Sequence, residues 1–187
     1  MKPIATAAVV LMTALTLTPT VASADSPEET KAPTSGFRAE FLMDMASLEK
    51  KVVGLADAVP ADKYSWAPTP EVRDVAAVYI HLAQSNHQLL QTLGVEPPAG
   101  TADMETAITD KDGVIAALGA SFAAVKHAVE GLSDDDLDTM VTLFGREWSK
   151  RQVLMLIAGH CHEHLGQSIA YARSVGVVPP WSRPRAD

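Results

Sequence analysis

Apolar residues recur at alternating steps of three and four positions in several long stretches of the chain, the spacing of side chains on one face of an α-helix. The first stretch covers residues 37–59 and is followed by Pro60, which cannot continue a helix. Its apolar positions are Phe41, Met45, Leu48, Val52, Leu55 and Val59. The pattern therefore predicts an amphipathic helix that ends before Pro60.

A second helix is predicted over residues 70–93. Thr69 can cap its first turn, Pro70 suits the first helical position, and Gly94 is a common residue just beyond a helix end. Asn86 occupies the one polar gap in the apolar stripe, which consists of Val72, Val75, Tyr79, Leu82, Leu89 and Leu93.

Two further helices are predicted over residues 110–130 and 149–175. The apolar positions of the third helix are Ile115, Leu118, Phe122, Val125 and Val129. Ser149 and Gln152 form the S-x-x-Q pattern of a capping box, which marks the start of the fourth helix. One face of that helix carries Val153, Ile157, His160, His164, Ser168 and Tyr171.

These four helices predict an all-α fold, a four-helix bundle with a long crossover between the second and third helices. The crossover is residues 94–109, which are long enough to span one end of a bundle and to hold a short helical turn. Residues 131–148 form the last connection. No strand pair is predicted, because no segment alternates at period two over a long distance.

The N-terminal segment has the pattern of a secretory signal. Lys2 precedes an apolar run, residues 4–17, and Ala22-Ser23-Ala24 offers small residues for signal cleavage. That run is too short to cross a bilayer as a helix, which takes about 20 residues. We predict an exported protein, periplasmic or secreted, without a stable membrane anchor after cleavage; a retained anchor is the alternative.

The predicted domain organisation is therefore a signal peptide at 1–24, a flexible linker at 25–36, a bundle domain at 37–182 and a tail at 183–187. The formal net charge is −8, and it becomes −9 without the signal because Lys2 is the only charged side chain removed. An acidic domain without a basic stripe disfavours nucleic acid as a partner. Cys161 is the single cysteine, so no internal disulfide can form.

Histidines concentrate in the stretch GHCHEHLGQ, residues 159–167. His160 and His164 are four positions apart and share the inward face of the fourth helix, an arrangement that can clamp a metal ion. His162 lies about 200° around the helix from His160 and is predicted to point away. The alternative is a pair of core histidines that are hydrogen-bonded to serine or backbone.

A third imidazole strengthens the metal hypothesis. His81 is predicted on the inner side of the second helix, where it can face the pair on the fourth. Three histidine ligands leave at least one position for water or substrate, as in catalytic rather than closed structural sites. His87 and His127 fall off these faces and are predicted to be surface residues.

Other polar residues near the pair have candidate roles. Glu163 completes the pattern H-x-x-E-H of inverted zinc peptidases, but the chain has only Asp187 as an acidic residue after it. Glu163 can instead act as a proton acceptor. Gln167 shares the face of His160 and can orient a histidine N–H or a water, although ordinary hydrogen bonding between helices is the alternative. Cys161 is predicted to be a packing residue.

Three stretches together resemble the DinB-like superfamily of four-helix-bundle metalloproteins. They are YSWAPTPEVRDVAAVYIHLA at 64–83, HCHEHLGQSIAYAR at 160–173 and VGVVPPWS at 175–182. The resemblance implies a divalent metal, zinc or nickel, held by His81, His160 and His164. Some relatives are transferases and isomerases that use low-molecular-weight thiols in the cytoplasm, whereas this chain carries an export signal.

The leading hypothesis is a metal-dependent enzyme, a transferase or a hydrolase, that acts on an unidentified small molecule with the help of Glu163 or Gln167. One alternative is a non-enzymatic exported metal-binding or stress protein in which the metal is structural. Another is a helical interaction module whose histidines are polar core residues. An apolar outer seam can support a homodimer.

Overall fold

The computed structural model describes residues 32–184, so the predicted signal peptide and most of the predicted linker lie outside the described residues. Within that range there are four long helices: α1 Gly36–Ala58, α2 Val75–Gln91, α4 Lys111–Glu130 and α5 Lys150–Ser174. The smaller elements are the short helix α3 Met104–Ala107 and the strands β1 Met140–Leu143 and β2 Arg146–Ser149.

The long helices pack as a bundle. α1 contacts α4 and α5, and α2 contacts the same two helices, so α1 and α2 occupy opposite corners. Their predicted apolar stripes meet in the centre, where the largest fully buried side chains include Leu48, Leu55, Tyr79, Leu82, Leu118 and Ile157. The prediction of an all-α four-helix bundle with a crossover from the second to the third long helix is confirmed, and α3 lies in that crossover.

Helix α4 has an apolar composition and contributes one face to this core. With 20 residues it is long and apolar enough to pass as a membrane span by length and composition. In the bundle its buried residues, among them Val114, Leu118, Phe122 and Val125, pack against α1 and α2. About a third of its apolar window is buried in the bundle, so burial between helices accounts for part of its hydropathy.

Helix α2 begins at Val75 and not at the predicted Pro70. The Asp74 side chain caps it by accepting a hydrogen bond of 2.8 Å from the Ala77 N–H. The N–H groups of Val75 and Ala76 donate to the carbonyl oxygens of Trp66 and Tyr64. The loop before the helix thus satisfies its first free donors, and the predicted stripe residue Val72 stays exposed in that loop.

The predicted start of the last helix is confirmed by a capping box. Ser149 Oγ accepts from the Gln152 N–H at 3.2 Å, and Gln152 Oε1 accepts from the Ser149 N–H at 2.8 Å. Because Ser149 also ends β2, the two strands lead directly into α5. The histidine-bearing helix is therefore joined to the hairpin without an intervening loop.

The expectation of no strand pair is wrong. β1 and β2 form an antiparallel hairpin in which Met140 pairs with Ser149 and Leu143 pairs with Arg146. The connection is the two residues Phe144 and Gly145, which both have positive φ, 52° and 73°. Each strand has only four residues, which is too few for a period-two pattern to stand out.

Candidate metal centre

Three imidazole rings from two helices meet at one side of the bundle. His81 projects from α2, and His160 and His164 project from successive turns of α5. The Nε2 atom of His160 lies 3.3 Å from Nε2 of His81 and 3.1 Å from Nε2 of His164. One ligand nitrogen from each ring lies within 4.8 Å of the other two. The structure thus brings together all three residues that the sequence proposed as metal ligands.

The spacing of these nitrogens suits a shared cation better than hydrogen bonds among the rings. A proton on one Nε2 can satisfy only one neighbour well, whereas His160 Nε2 faces two. Two nitrogens bound to zinc at about 2.0–2.1 Å in a tetrahedral arrangement lie about 3.3 Å apart. A divalent ion that prefers imidazole therefore fits between the three rings, and their side chains are only half-buried.

Gln167 sets the tautomer of one ring. Nδ1 of His164 lies 2.8 Å from Gln167 Oε1, which can only accept, so Nδ1 carries the proton. In a neutral ring Nε2 then presents a lone pair toward His81 and His160. The Gln167 amide in turn donates to the Tyr171 hydroxyl at 3.1 Å. This is the supporting contact that metal-binding histidines ordinarily have.

Burial keeps the central ring neutral. Desolvation, with smaller contributions from His164 and His81, lowers the pKa of His160 to about 4. Desolvation and then the positive charge of Arg73 lower the pKa of His81, against a raising effect of Glu105. At neutral pH both rings are therefore uncharged. An uncharged ring has one nitrogen without a proton, and that nitrogen can bind a metal ion.

Side chains around the rings come from the loop before α2 and from the crossover. Arg73 Nε and Glu105 Oε1 lie 3.4 Å apart at the surface, so the Glu105 carboxylate offsets part of the effect of the Arg73 charge on His81. Trp66 packs edge-on against Tyr171, with ring centroids 5.3 Å apart. The tryptophan of the YSWAP stretch thus supports the tyrosine that Gln167 contacts, a link that sequence spacing alone did not reveal.

A cavity of about 300 Å³ lies beside the rings. His81 and His160 form part of its wall, and the other lining residues are Ser85, Gln88, Leu89, Leu143, Phe144 and Leu156. None of these six was predicted as a site residue. The Phe-Gly turn between two short strands was the signal that could have placed Phe144 on a hairpin.

The remaining predicted residues have mixed outcomes. Glu163 is exposed on α5 and, within residues 32–184, makes no side-chain hydrogen bond, so its catalytic role stays a prediction. His162 points away from the triad and contacts Asp44 of α1, and His127 is exposed, both as predicted. The prediction that His87 is a surface residue is wrong. It is 4 % exposed because the crossover covers it, and burial lowers its pKa.

Cys161 is a packing residue, as its position between the two histidines of α5 predicted. Its side chain is fully buried, and Sγ lies 3.4 Å from Oδ1 of Asn86. Asn86, the polar gap in α2, also donates to Ser121 Oγ at 3.2 Å, so this polar group is satisfied within the core. Burial raises the pKa of the Cys161 thiol to about 12.

We expect the thiol to be unreactive in the folded protein, because only the exposed thiolate attacks disulfide reagents. In a colorimetric thiol assay the native chain should react at least about 100-fold more slowly than the chain in denaturant, since reaction requires opening of the core. Both samples should reach one thiol per chain. Fast modification of the native protein would contradict the buried placement.

Comparison with known proteins agrees with this fold. The sequence profile of the DinB superfamily matches residues 45–168. The chain matches none of the curated proteins at a significant level. A DinB-like protein from Bacillus cereus superposes with a TM-score of 0.68 at 20 % identity, over 75 % of this chain and 93 % of that one.

Two other solved structures are similar in the same way. A DinB-like protein from Bacillus subtilis has a TM-score of 0.62 at 21 % identity, over 79 % of this chain and 99 % of the other. A conserved protein from Enterococcus faecalis has a TM-score of 0.65 at 12 % identity, over 75 % and 97 %. At these sequence identities the similarity to solved structures supports the fold alone. The profile match over most of the described domain shows that the chain belongs to the DinB superfamily.

Proposed function

We propose that the protein is an exported, divalent-metal-dependent enzyme of the transferase or hydrolase type that acts on a small molecule. The observation that supports this most is the meeting of three imidazole nitrogens within 4.8 Å on half-buried rings. Three protein ligands leave at least one coordination position for a substrate or water, which is typical of catalytic rather than structural sites.

His81, His160 and His164 would hold the ion, and zinc and nickel are among the metals that imidazole ligands suit. When bound, the ion supplies Lewis-acid chemistry, which polarises an oxygen or sulfur group of the substrate. Gln167 keeps His164 in the tautomer that presents Nε2 to the ion. Glu163, four positions before Gln167 on the same helix, is the proposed proton acceptor.

The number of histidine ligands and the cavity beside them favour an enzyme over a protein with a structural metal ion. A structural zinc site is normally closed by four protein ligands, whereas the described residues supply three within reach of each other. The adjoining cavity of about 300 Å³ has room for a small substrate. DinB-like relatives that transfer thiols suggest that reaction class, and the predicted export signal makes hydrolysis the second candidate.

The first test is metal binding. Protein purified without chelators, stripped and titrated with zinc or nickel in a calorimeter should bind one equivalent. At a free metal concentration about 1,000 times Kd, binding should stabilise the fold by about 4 kcal/mol. For a domain of this size that corresponds to a rise in Tm of roughly 8–16 °C. Absence of both stoichiometric binding and a Tm rise would refute the metal centre.

The second test is turnover. The zinc- and nickel-loaded proteins should be screened with thiol–electrophile pairs and with ester and amide substrates, each beside the stripped protein. Turnover that appears only with bound metal would support an enzyme. Stoichiometric metal binding without any metal-dependent turnover in the screen would favour the alternative of a structural metal.

A further inference from the structure

The cavity beside the triad is apolar along most of its length. Leu89 of α2, Leu143 of β1 and Leu156 of α5 line its wall, and Ser85 and Gln88 are the polar residues. The two histidines that complete the lining are two of the three proposed metal ligands. None of the described residues that line this cavity is an aspartate, glutamate, lysine or arginine. Away from the histidines, its wall therefore offers a charged group no counter-ion.

The hairpin turn places a strained aromatic side chain at this cavity. Phe144 has φ of 52°, in the left-handed region, which is unfavourable for a bulky residue. A two-residue turn in which both φ values are positive favours Asn-Gly or Gly-Gly. The Phe144 side chain is also 77 % exposed, so burial in the protein core does not offset the strain. A strained, exposed aromatic residue at the wall of a pocket indicates a function for that side chain.

We propose that this cavity binds the apolar portion of a small-molecule substrate and that Phe144 forms its outer wall. This inference rests on the proposed metal-dependent function, because His81 and His160 join the cavity to the triad. The reacting group of the substrate would lie at the histidines and its apolar part would extend toward the hairpin. The cavity of about 300 Å³ has room for about ten non-hydrogen atoms, if each occupies about as much space as a water molecule.

A series of alkyl hydroxamates tests the proposal, because their head group binds metal ions and their tails differ only in length. Acetohydroxamate, butanohydroxamate, hexanohydroxamate and octanohydroxamate should be titrated into the zinc-loaded full-length chain in a calorimeter. Each added methylene should tighten binding about fourfold, the change expected for its burial, until the cavity is filled. The gain from acetohydroxamate to hexanohydroxamate, which differ by four methylenes, should thus approach about 250-fold, and a flat series would overturn the proposal.

Phe144→Asn separates a ligand-binding role of the side chain from a structural one. Asparagine tolerates positive φ, so this variant should have a higher Tm than the wild type. Its affinity for hexanohydroxamate should nevertheless fall about tenfold through loss of the aromatic wall, while acetohydroxamate binds as before. Met43→Ala is the matched control, since Met43 is 74 % exposed on α1 and outside this cavity. A Phe144→Asn variant that binds the whole series like wild type would contradict the role of Phe144.

The experiments distinguish a wrong metal-binding proposal from a wrong cavity proposal. If acetohydroxamate binds and longer tails add nothing, the metal proposal survives and the cavity proposal is wrong. If no metal binds, 1-hexanol is titrated into the metal-free protein and the leucine methyl groups are followed by NMR. Shifts that concentrate on Leu89, Leu143 and Leu156, and that weaken in Phe144→Asn, would still support the cavity. Shifts elsewhere, or none, would overturn it.

Discussion

Replacing His160 with alanine is expected to abolish stoichiometric metal binding. Its Nε2 atom is the central one of the three, 3.3 Å from that of His81 and 3.1 Å from that of His164. Without it one nitrogen from each helix remains, and the two-ligand clamp on α5 is lost. Loss of a supporting residue behind a ligand typically costs 10–100-fold in metal affinity, so loss of the ligand itself should cost more than about 100-fold. Calorimetry with zinc and elemental analysis would measure this.

The fold should tolerate this change. Among residues 32–184, buried Nδ1 of His160 has no hydrogen-bond partner. An unsatisfied buried polar atom destabilises a protein by about 1–3 kcal/mol. Its removal partly offsets the packing that is lost with the ring. We therefore expect the metal-free variant to unfold within about 1 kcal/mol of the metal-free wild type in a denaturant titration.

His162→Ala is the matched control for His160→Ala. It removes the same side chain from the same helix two positions away, but this histidine is exposed and contacts Asp44 of α1 instead of the triad. The control should keep one equivalent of metal with unchanged affinity. Equal metal retention by wild type, His160→Ala and His162→Ala would instead favour the interpretation that the triad histidines are polar core residues.

Features that depend on local spacing could be predicted from the sequence. The four-residue step from His160 to His164 and the capping box at Ser149 are set by helix geometry, and both are present in the structure. The position of His81 followed from the apolar stripe of α2 once a bundle was assumed. The resemblance to the DinB superfamily, which the profile match confirms, implied the same three histidines as metal ligands.

Features that depend on contacts between distant segments could not be predicted in this way. Helix α2 begins at Val75 because carbonyl oxygens of Tyr64 and Trp66 accept its first N–H groups, and spacing within the helix says nothing about such partners. His87 is buried only because the crossover folds over it. Phe144 reaches the cavity through a hairpin whose strands are too short to leave a clear periodic pattern.

We propose that Gln167 positions His164, and this role can be separated experimentally from that of the proposed metal ligands. Its carbonyl oxygen accepts the Nδ1 proton of His164 at 2.8 Å, and its amide donates to Tyr171. Without the Gln167 carbonyl oxygen, the His164 ring can rotate, or its proton can move from Nδ1 to Nε2. A proton on Nε2 would occupy the lone pair that the metal ion requires. The predicted alternative of an ordinary bond between helices does not apply, since all three residues belong to α5.

We therefore expect Gln167→Leu to weaken zinc binding about 10–100-fold while the stoichiometry stays at one. Gln167→Glu keeps the acceptor and adds a negative charge behind the imidazole, so it should bind zinc at least as tightly as wild type. Tyr171→Phe removes only the far partner of Gln167, and its loss of affinity should be smaller than that of Gln167→Leu. Competition with a chelating dye would measure all three affinities. Unchanged affinity in Gln167→Leu would show that packing alone orients His164, because the variant keeps the size of the side chain and loses only the hydrogen bond.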